Sequence, residues 1–175
     1  MKRTILFLLL NIATSALVCQ NLVGKSVPNL SLKDANGKST TIPYFGERTL
    51  AIFYNDPDVK DISEPLSEAI KNQKLPREKY QGIGISNSQD TWLPNSVIRF
   101  AAREKQKKYP NSVILIDENH TLSKEWSLDN SDNKGYFIII GKDKKIKYIR
   151  LISSQDESKA IIKEVLRLIE NEIIL

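Results

Sequence analysis

Three short apolar runs, separated by stretches with helical periodicity, constrain the fold of this chain more than any other feature. The runs are TLAIFYN (49–55), GIGISN (82–87) and VILID (113–117). Their β-branched and aromatic content is typical of buried strands. Strands that alternate with helices pair in parallel through crossover connections. The order therefore predicts an α/β domain with a largely parallel central sheet.

Further strands flank this unit on both sides. The stretch 27–43 predicts two short strands around a turn at Asn36 and Gly37. Near the C-terminus, YFIIIG (136–141) and IKYIRL (146–151) predict a second hairpin. We therefore expect a three-layer α/β/α domain with a central mixed sheet and an N-terminal β-hairpin.

Helices are expected in the connections between these strands and at the end of the chain. The first covers 62–73, and the second begins with Asn95 or Ser96 as its N-cap and runs to Lys108, before a proline. The last begins near Ser154. It is expected to bury a stripe of apolar side chains at helical spacing, namely Ile161, Ile162, Val165, Leu168 and Ile169.

The first 20 residues have the layout of an export signal. Lys2 and Arg3 precede an apolar run over 5–10, and small residues follow. The run is shorter than the roughly 20 residues that cross a bilayer. We predict a signal peptide over 1–20, a single domain over 21–175, and a periplasmic or otherwise exported location.

Cys19 is the only cysteine in the sequence. Two processing routes are open: simple cleavage close to this residue, or attachment of lipid to Cys19. We favour cleavage because Val18 stands where a lipoprotein signal usually has a small residue. Cleavage removes two of the 26 basic residues and none of the 21 acidic ones, so the formal net charge falls from +5 to +3.

Several segments resemble exported thioredoxin-like proteins. They are VPNLSLKDANGKS, VILIDENHTLSKEWSLD and FIIIGKDKKI. The longer stretches LSEAIKNQKLPREKYQ and NSQDTWLPNSVIRFAAREKQKKYPNSVILIDENHTLSKEWSLD are similar to the YtfJ family of exported bacterial proteins. The resemblance implies a thioredoxin-like fold and a periplasmic location. Members of the family are often labelled as transcriptional regulators, but a periplasmic protein does not act directly on DNA.

The thiol chemistry of that fold is missing from the sequence. Thioredoxins place two cysteines at a helix N-terminus after the first central strand, where the helix field stabilises a thiolate. In this chain Asp58 and Asp61 stand near those positions, and Gly135 stands near the position of the fold's cis-proline. A cis bond before a non-proline residue costs about 2.5–4 kcal/mol, so we expect a trans bond there. The sequence predicts no disulfide exchange and no peroxidatic cysteine.

Asp56, Asp58 and Asp61 form an acidic loop at a predicted helix start. One interpretation is capping, which contributes roughly 0.5–2 kcal/mol. The other is a divalent-cation site, but the glycine and distal glutamate of a calcium loop are absent. We favour capping, and we predict no metal site and no cofactor.

A second polar loop is expected after the strand GIGISN and contains Ser86, Ser88, Asp90, Trp92 and Pro94. Ligands of open α/β sheets bind beyond the carboxyl ends of the strands, and the acidic loop lies at the same end. The two loops are therefore expected to border a shared surface for a partner. For Trp92 a second interpretation stays open, in which the indole covers the core.

His120, the only histidine, lies in a turn where Asn119 or His120 is expected to adopt a left-handed backbone. Catalysis would need a partner that the local sequence does not offer, so we interpret His120 as a turn residue. A basic cluster on the second predicted helix is interpreted as a solvated face, and no nucleic-acid binding is expected. The cluster consists of Arg99, Arg103, Lys105, Lys107 and Lys108.

These observations predict an exported thioredoxin-like domain that binds an unknown protein or peptide partner in the cell envelope, without thiol chemistry. The candidate contact residues are Asp56, Asp58, Asp61, Ser88, Trp92 and Pro94. Contact with a membrane is expected only if Cys19 carries lipid. The alternative is a divergent enzyme, which uses either a metal held by the three aspartates or a residual redox or antioxidant role of Cys19.

Overall fold

Seven strands form one mixed sheet in the computed structural model, which describes residues 21–129 and 131–174. The spatial order is β2-β1-β5-β4-β3-β6-β7. The strands are β1 (Ser31–Asp34), β2 (Ser39–Thr41), β3 (Thr49–Asn55), β4 (Tyr80–Asn87), β5 (Val113–Asp117), β6 (Gly135–Ile140) and β7 (Ile146–Ile152).

The pairing of the strands confirms the predicted mixed sheet. β3, β4 and β5 pair in parallel at its centre, and β6 and β7 continue it antiparallel from β3. On the other side β1 pairs antiparallel with β5 and with β2. Gly37 turns the N-terminal hairpin with a φ of 82°, which a glycine adopts without strain.

Five α-helices connect or follow the strands, and a short 3-10 helix covers Pro57–Val59. The predicted N-cap of the second helix is wrong. Pro94 holds that position with extended backbone, because its fixed φ suits the entry into a helix. The helices are α1 (Glu64–Asn72), α2 (Asn95–Lys108), α3 (Thr121–Glu125), α4 (Gln155–Ala160) and α5 (Ile162–Ile174).

Apolar side chains cover both faces of the sheet. Trp126 and Leu122 pack with Tyr54 on one face. On the other face Leu66 of α1 and Val165 of α5 pack in a second cluster, and α2 covers β5 beside them. The sheet therefore lies between two layers, as the alternation of strands and helices predicts. Of the predicted stripe in the last helix, Ile161, Val165 and Ile169 are buried, and Ile162 and Leu168 are partly buried.

Ser158 connects two helices on that second face. Its buried hydroxyl accepts a hydrogen bond of 3.2 Å from the backbone N–H of Leu66, in the first turn of α1. Ser63 precedes α1 but makes no cap bond to it. Because the first N–H groups of a helix have no partner within it, Ser158 supplies from α4 the acceptor that α1 lacks.

The N-terminal segment is fastened to the rest of the domain by side chains. The Asn29 amide exchanges two hydrogen bonds with the backbone of Ile42, at 3.0 and 3.1 Å. Trp126 donates through Nε1 to the carbonyl of Pro28 at 3.1 Å. The predicted signal over 1–20, with Cys19, lies outside the described residues. Within 21–129 and 131–174, no helix has the length and apolar character needed to cross a membrane.

Candidate functional site

The two loops that were predicted to share a surface meet at the carboxyl edge of β3 and β4. The Thr91 hydroxyl donates a hydrogen bond of 2.8 Å to Oδ1 of Asp58. The parallel register places Asn55 beside Ser86, so both loops start at the same level of the sheet. The structure thus brings together loop residues separated by 33 positions.

Trp92 projects from this junction into solvent. Its side chain is 83% exposed, which excludes the interpretation that it covers the core. Thr91 also accepts a hydrogen bond from the N–H of Leu93 at 3.2 Å, so the backbone on both sides of the indole is tied. Pro94, also exposed, follows at the start of α2. A large apolar side chain on a fastened loop is a typical contact feature.

Asp56 is fully buried, and both oxygens of its carboxylate accept hydrogen bonds from backbone N–H groups. Oδ1 accepts from the N–H of Asp58 and Oδ2 from the N–H of Asn133, both at 2.8 Å. The N–H of Asp56 donates to the carbonyl of Lys134 at 3.2 Å. Burial raises the pKa of Asp56 above its ordinary value, although the two donated hydrogen bonds act in the opposite direction. Asp56 therefore caps the 3-10 helix and holds the loop before β6.

The three aspartates of the acidic loop face different surroundings. Asp56 points inward, whereas Asp58 and Asp61 are exposed. In the part of the chain that the structure describes, no group of three or more His, Cys, Asp or Glu side chains converges as a metal site does. The carboxylates that a partner can reach are those of Asp58 and Asp61.

Ser88 supports the second loop from beneath. It is buried, and both its N–H and its hydroxyl donate to the carbonyl of Asp117, at 3.0 and 3.3 Å. This fastens the loop after β4 to the end of β5. Among the six candidate contact residues, Ser88 and Asp56 are thus buried, whereas the other four are exposed.

Asp90 and His120 form a pair that the sequence analysis missed. His120 Nε2 lies 2.7 Å from Oδ1 of Asp90. The side-chain amide of Asn87 and the hydroxyl of Ser131 donate to the other carboxylate oxygen of Asp90. His120 has a φ of 55°, so the predicted left-handed turn is confirmed. Their places in the sequence could have predicted the pair, because Asp90 and His120 follow the ends of β4 and β5, which are adjacent parallel strands.

This hydrogen-bond network connects the loop after β4 to neighbouring loops and has no catalytic arrangement. Asp90 is its centre and receives the donors, and the Ser131 hydroxyl points to Asp90. In a Ser-His-Asp triad the imidazole stands between the serine and the carboxylate. Here the carboxylate stands between the other two groups. The network therefore holds the loop after β4 against the turn before α3.

Asp117 anchors the same turn from within the core. Its carboxylate accepts hydrogen bonds of 2.8 Å from the N–H groups of Thr121 and Leu122 at the start of α3. The Tyr54 hydroxyl donates to it at 3.4 Å. Burial first and the Asp117 charge second raise the pKa of Tyr54 well above its ordinary range, so Tyr54 stays a neutral donor.

Asn55 and Gly135 lie in close contact at the end of β3 and the start of β6. They pair across β3 and β6, and the Asn55 side chain lies over Gly135. A Cβ at position 135 would come within 2.0 Å of the Asn55 Oδ1. That oxygen accepts a hydrogen bond from Ser63 at 3.3 Å. All described peptide bonds are trans, which confirms the prediction for Gly135.

Comparison with known proteins identifies the family. Residues 48–172 match the family model described as "Bacterial protein of unknown function (YtfJ_HI0045)". The chain belongs to the YtfJ family. It is 28% identical over 116 residues to "Uncharacterized protein YtfJ" of Escherichia coli K12. That match covers 65% of this chain and 57% of the relative, so it spans little more than half of the relative's length.

Solved structures place this YtfJ-family domain in a known fold. It resembles the exposed lipoprotein thioredoxin of Streptococcus pneumoniae, with a TM-score of 0.53, 14% identity, and coverage of 78% of this chain and 99% of the other. It also resembles the thioredoxin domain of a thiol-disulfide oxidoreductase from Bacteroides vulgatus, with a TM-score of 0.54, 14% identity, and coverage of 82% and 96%. The likeness confirms the predicted thioredoxin-like fold.

Proposed function

We propose that this protein is an exported thioredoxin-like domain that binds a protein or peptide partner in the cell envelope, without exchanging disulfides. The observation that carries the proposal is the exposed Trp92 on a loop that Thr91 fastens to Asp58. Exposed tryptophans that are held in one orientation are frequent anchors of protein interfaces, because the ordering cost is already met.

The contact surface consists of the exposed side chains around this junction. We call it the Trp92 surface, and it comprises Asp58, Asp61, Trp92 and Pro94. Two exposed carboxylates and an exposed indole favour a partner with an apolar pocket bordered by basic side chains. Buried Asp56 and Ser88 give the two loops their fixed positions.

The absence of thiol chemistry follows from the residues near the usual redox position. Cys19, the only cysteine of the sequence, precedes the thioredoxin-like domain. Asp58 stands in the loop where the fold carries a reactive cysteine, and a carboxylate cannot form a disulfide. The Asn55 side chain also fills the space above Gly135. This combination supports a binding role on a scaffold that elsewhere performs redox chemistry.

Capture of the partner from envelope extracts tests the proposal. We expect Trp92→Ser and Asp58→Asn each to reduce the captured amount at least tenfold, which corresponds to about 1.4 kcal/mol. Val23→Ser and Asp156→Asn are matched controls, because they change another exposed apolar residue and another exposed carboxylate. Capture that survives both Trp92 and Asp58 changes, or that falls equally in the controls, contradicts the proposal.

The likeness to thiol–disulfide proteins is the observation behind a second candidate function, a divergent enzyme. A redox role would have to use Cys19, and a metal-dependent role would have to use the aspartates of the loop 56–61. Insulin reduction by the purified protein and by Cys19→Ser tests the first role. Calorimetry with calcium, magnesium, zinc and manganese tests the second. Turnover that Cys19→Ser abolishes, or saturable metal binding that Asp58→Asn abolishes, would favour the enzyme.

A further inference from the structure

Helix α2 turns an apolar patch toward solvent. Val97 and Phe100 lie three residues apart, so they share one side of the helix, and they are 47% and 58% exposed. The opposite side of α2 is buried through Ile98 and Ala102. Trp92 stands in the loop that enters the helix. Large apolar side chains grouped on a surface are typical of an interaction site.

The other end of α2 is basic. Lys105, Lys107 and Lys108 occupy its last turn. Tyr109 follows, with the ammonium groups of Lys108 and of Lys71 from α1 at 5.3 and 4.8 Å from its ring centroid. One helix thus presents exposed apolar groups at its start and lysines with a tyrosine at its end.

The arginines of the helix do not belong to this exposed group. Arg99 forms an ion pair with Glu118, and Arg103 donates to the carbonyl of Ala35 at 2.7 Å. Glu104, the only acidic residue of α2, pairs with Lys107 at 2.7 Å. The predicted solvated basic face is therefore two sets of residues, namely arginines that hold the fold and lysines that face solvent.

Because the exposed basic side chains at this end of α2 are lysines and not arginines, an anionic lipid surface suits it better than a protein partner. Protein interfaces are enriched in arginine and depleted in lysine, because the guanidinium makes bonds of fixed geometry. A lysine is a compact charge on a flexible stem, and it attracts an anionic lipid surface without a fixed geometry. Aromatic side chains settle at the boundary between headgroups and acyl chains. Exposed aromatics beside lysines therefore match the chemistry of an anionic bilayer surface.

We propose that the outward side of α2 rests on an anionic phospholipid surface. The membrane face, as we call it, comprises Val97, Phe100, Lys107 and Lys108, together with Glu104, which is paired with Lys107. Phe100 enters the headgroup boundary, and the lysines lie among the phosphates. The contact is weak and reversible, and it does not require lipid on Cys19. It also does not require the protein partner of the Trp92 surface.

Vesicle flotation tests this inference on the full chain with Cys19→Ser, after mass spectrometry has established the mature N-terminus. The probes are vesicles of phosphatidylcholine alone and of phosphatidylcholine mixed with phosphatidylglycerol. We expect binding only to the mixed vesicles and release at high salt.

Charge and apolar variants assign the contact to the membrane face. Lys107→Glu with Lys108→Glu should weaken vesicle binding tenfold or more, and Phe100→Ser about tenfold. Lys142→Glu with Lys163→Glu is the matched control, since it makes the same change of net charge at exposed sites outside α2. All these side chains are exposed, and unchanged circular dichroism will establish that each variant folds.

The inference is overturned if the Cys19→Ser protein does not bind mixed vesicles at low salt, or if it binds vesicles of phosphatidylcholine alone equally well. It is also overturned if the control with Lys142→Glu and Lys163→Glu loses as much vesicle binding as the α2 variants. A fourth contrary result is that Phe100 binds an acidic envelope protein while the protein does not bind vesicles. Asp58→Asn separates the two surfaces, because it should reduce partner capture at least tenfold and leave vesicle binding undiminished.

Discussion

Thr91 donates a hydrogen bond of 2.8 Å to Asp58, and this contact crosses from the loop after β4 to the loop after β3. The same hydroxyl accepts the N–H of Leu93 at 3.2 Å. Trp92 lies between these two tied residues. We infer that the Thr91 hydroxyl helps to fix the backbone from which the indole projects.

Replacing Thr91 with valine keeps the shape of the side chain and removes that hydroxyl. We expect the free energy of unfolding to fall by only about 0.5–1.5 kcal/mol, as for one hydrogen bond. Hydrogen exchange of the amides over 91–94 should become faster, and partner capture should weaken. Thr40→Val on β2 is the control. Unchanged exchange over 91–94 would contradict the role assigned to Thr91.

Gly135→Ala should destabilise the domain because the added Cβ would meet the Asn55 Oδ1 at 2.0 Å. We expect a loss of about 1–3 kcal/mol in the free energy of urea unfolding. Asn55→Ala removes the obstacle, so the double variant should lose less than the sum of the single losses. Gly84→Ala is the control, because a Cβ there meets only the Val113 carbonyl at 3.9 Å. Strict additivity would contradict this explanation.

Ser158→Ala should weaken the attachment of α1 to α4. The change leaves the buried N–H of Leu66 without an acceptor, which costs about 1–3 kcal/mol. Chemical denaturation measures this loss, and the exposed Ser96→Ala provides the comparison. A loss for Ser158→Ala no larger than that for Ser96→Ala would indicate that another group caps α1.

Asp56 gives the stability a pH dependence of unusual sign for an aspartate. Its pKa is raised in the folded protein above the ordinary value of 3.8. The folded state therefore binds the proton more tightly, and the stability that protonation adds is lost as pH rises from 3.8 through the folded pKa. The difference in unfolding free energy between the wild type and Asp56→Asn should be larger near pH 4 than at pH 7. A larger difference at pH 7 would mean that the folded pKa is lowered.

The central strands were well predicted because each is a short run of apolar, β-branched and aromatic residues, which is typical of a buried strand. TLAIFYN and VILID correspond to β3 and β5 residue for residue. The last helix was less well predicted. The chain divides it at Ile161, whose N–H bonds to the carbonyl of Lys159 and so departs from the regular helical pattern that the periodicity predicts. The helix α3 was absent from the expected element order, because its five residues are too few to show a period.

The candidate site was only partly predictable. The carboxyl ends of parallel strands lie at the same edge of a sheet, so the loops that carry Asp58 and Trp92 could be predicted to lie next to each other. The sequence could not give the burial of Asp56 and Ser88, since their hydrogen bonds reach Asn133 and Asp117 in distant loops. It also missed the pairing of Asp90 with His120, which lie 30 residues apart.

Photo-crosslinking from position 92 in intact envelopes measures whether the Trp92 surface contacts a partner. A photoreactive phenylalanine replaces Trp92 in the wild type and in Cys19→Ser, and the same group at Val23 serves as the control position. We expect one specific protein or peptide adduct from position 92, equal in both backgrounds and absent from position 23. No adduct from position 92, or an adduct that disappears with Cys19→Ser, would contradict a thioredoxin-like domain that works by binding without sulfur.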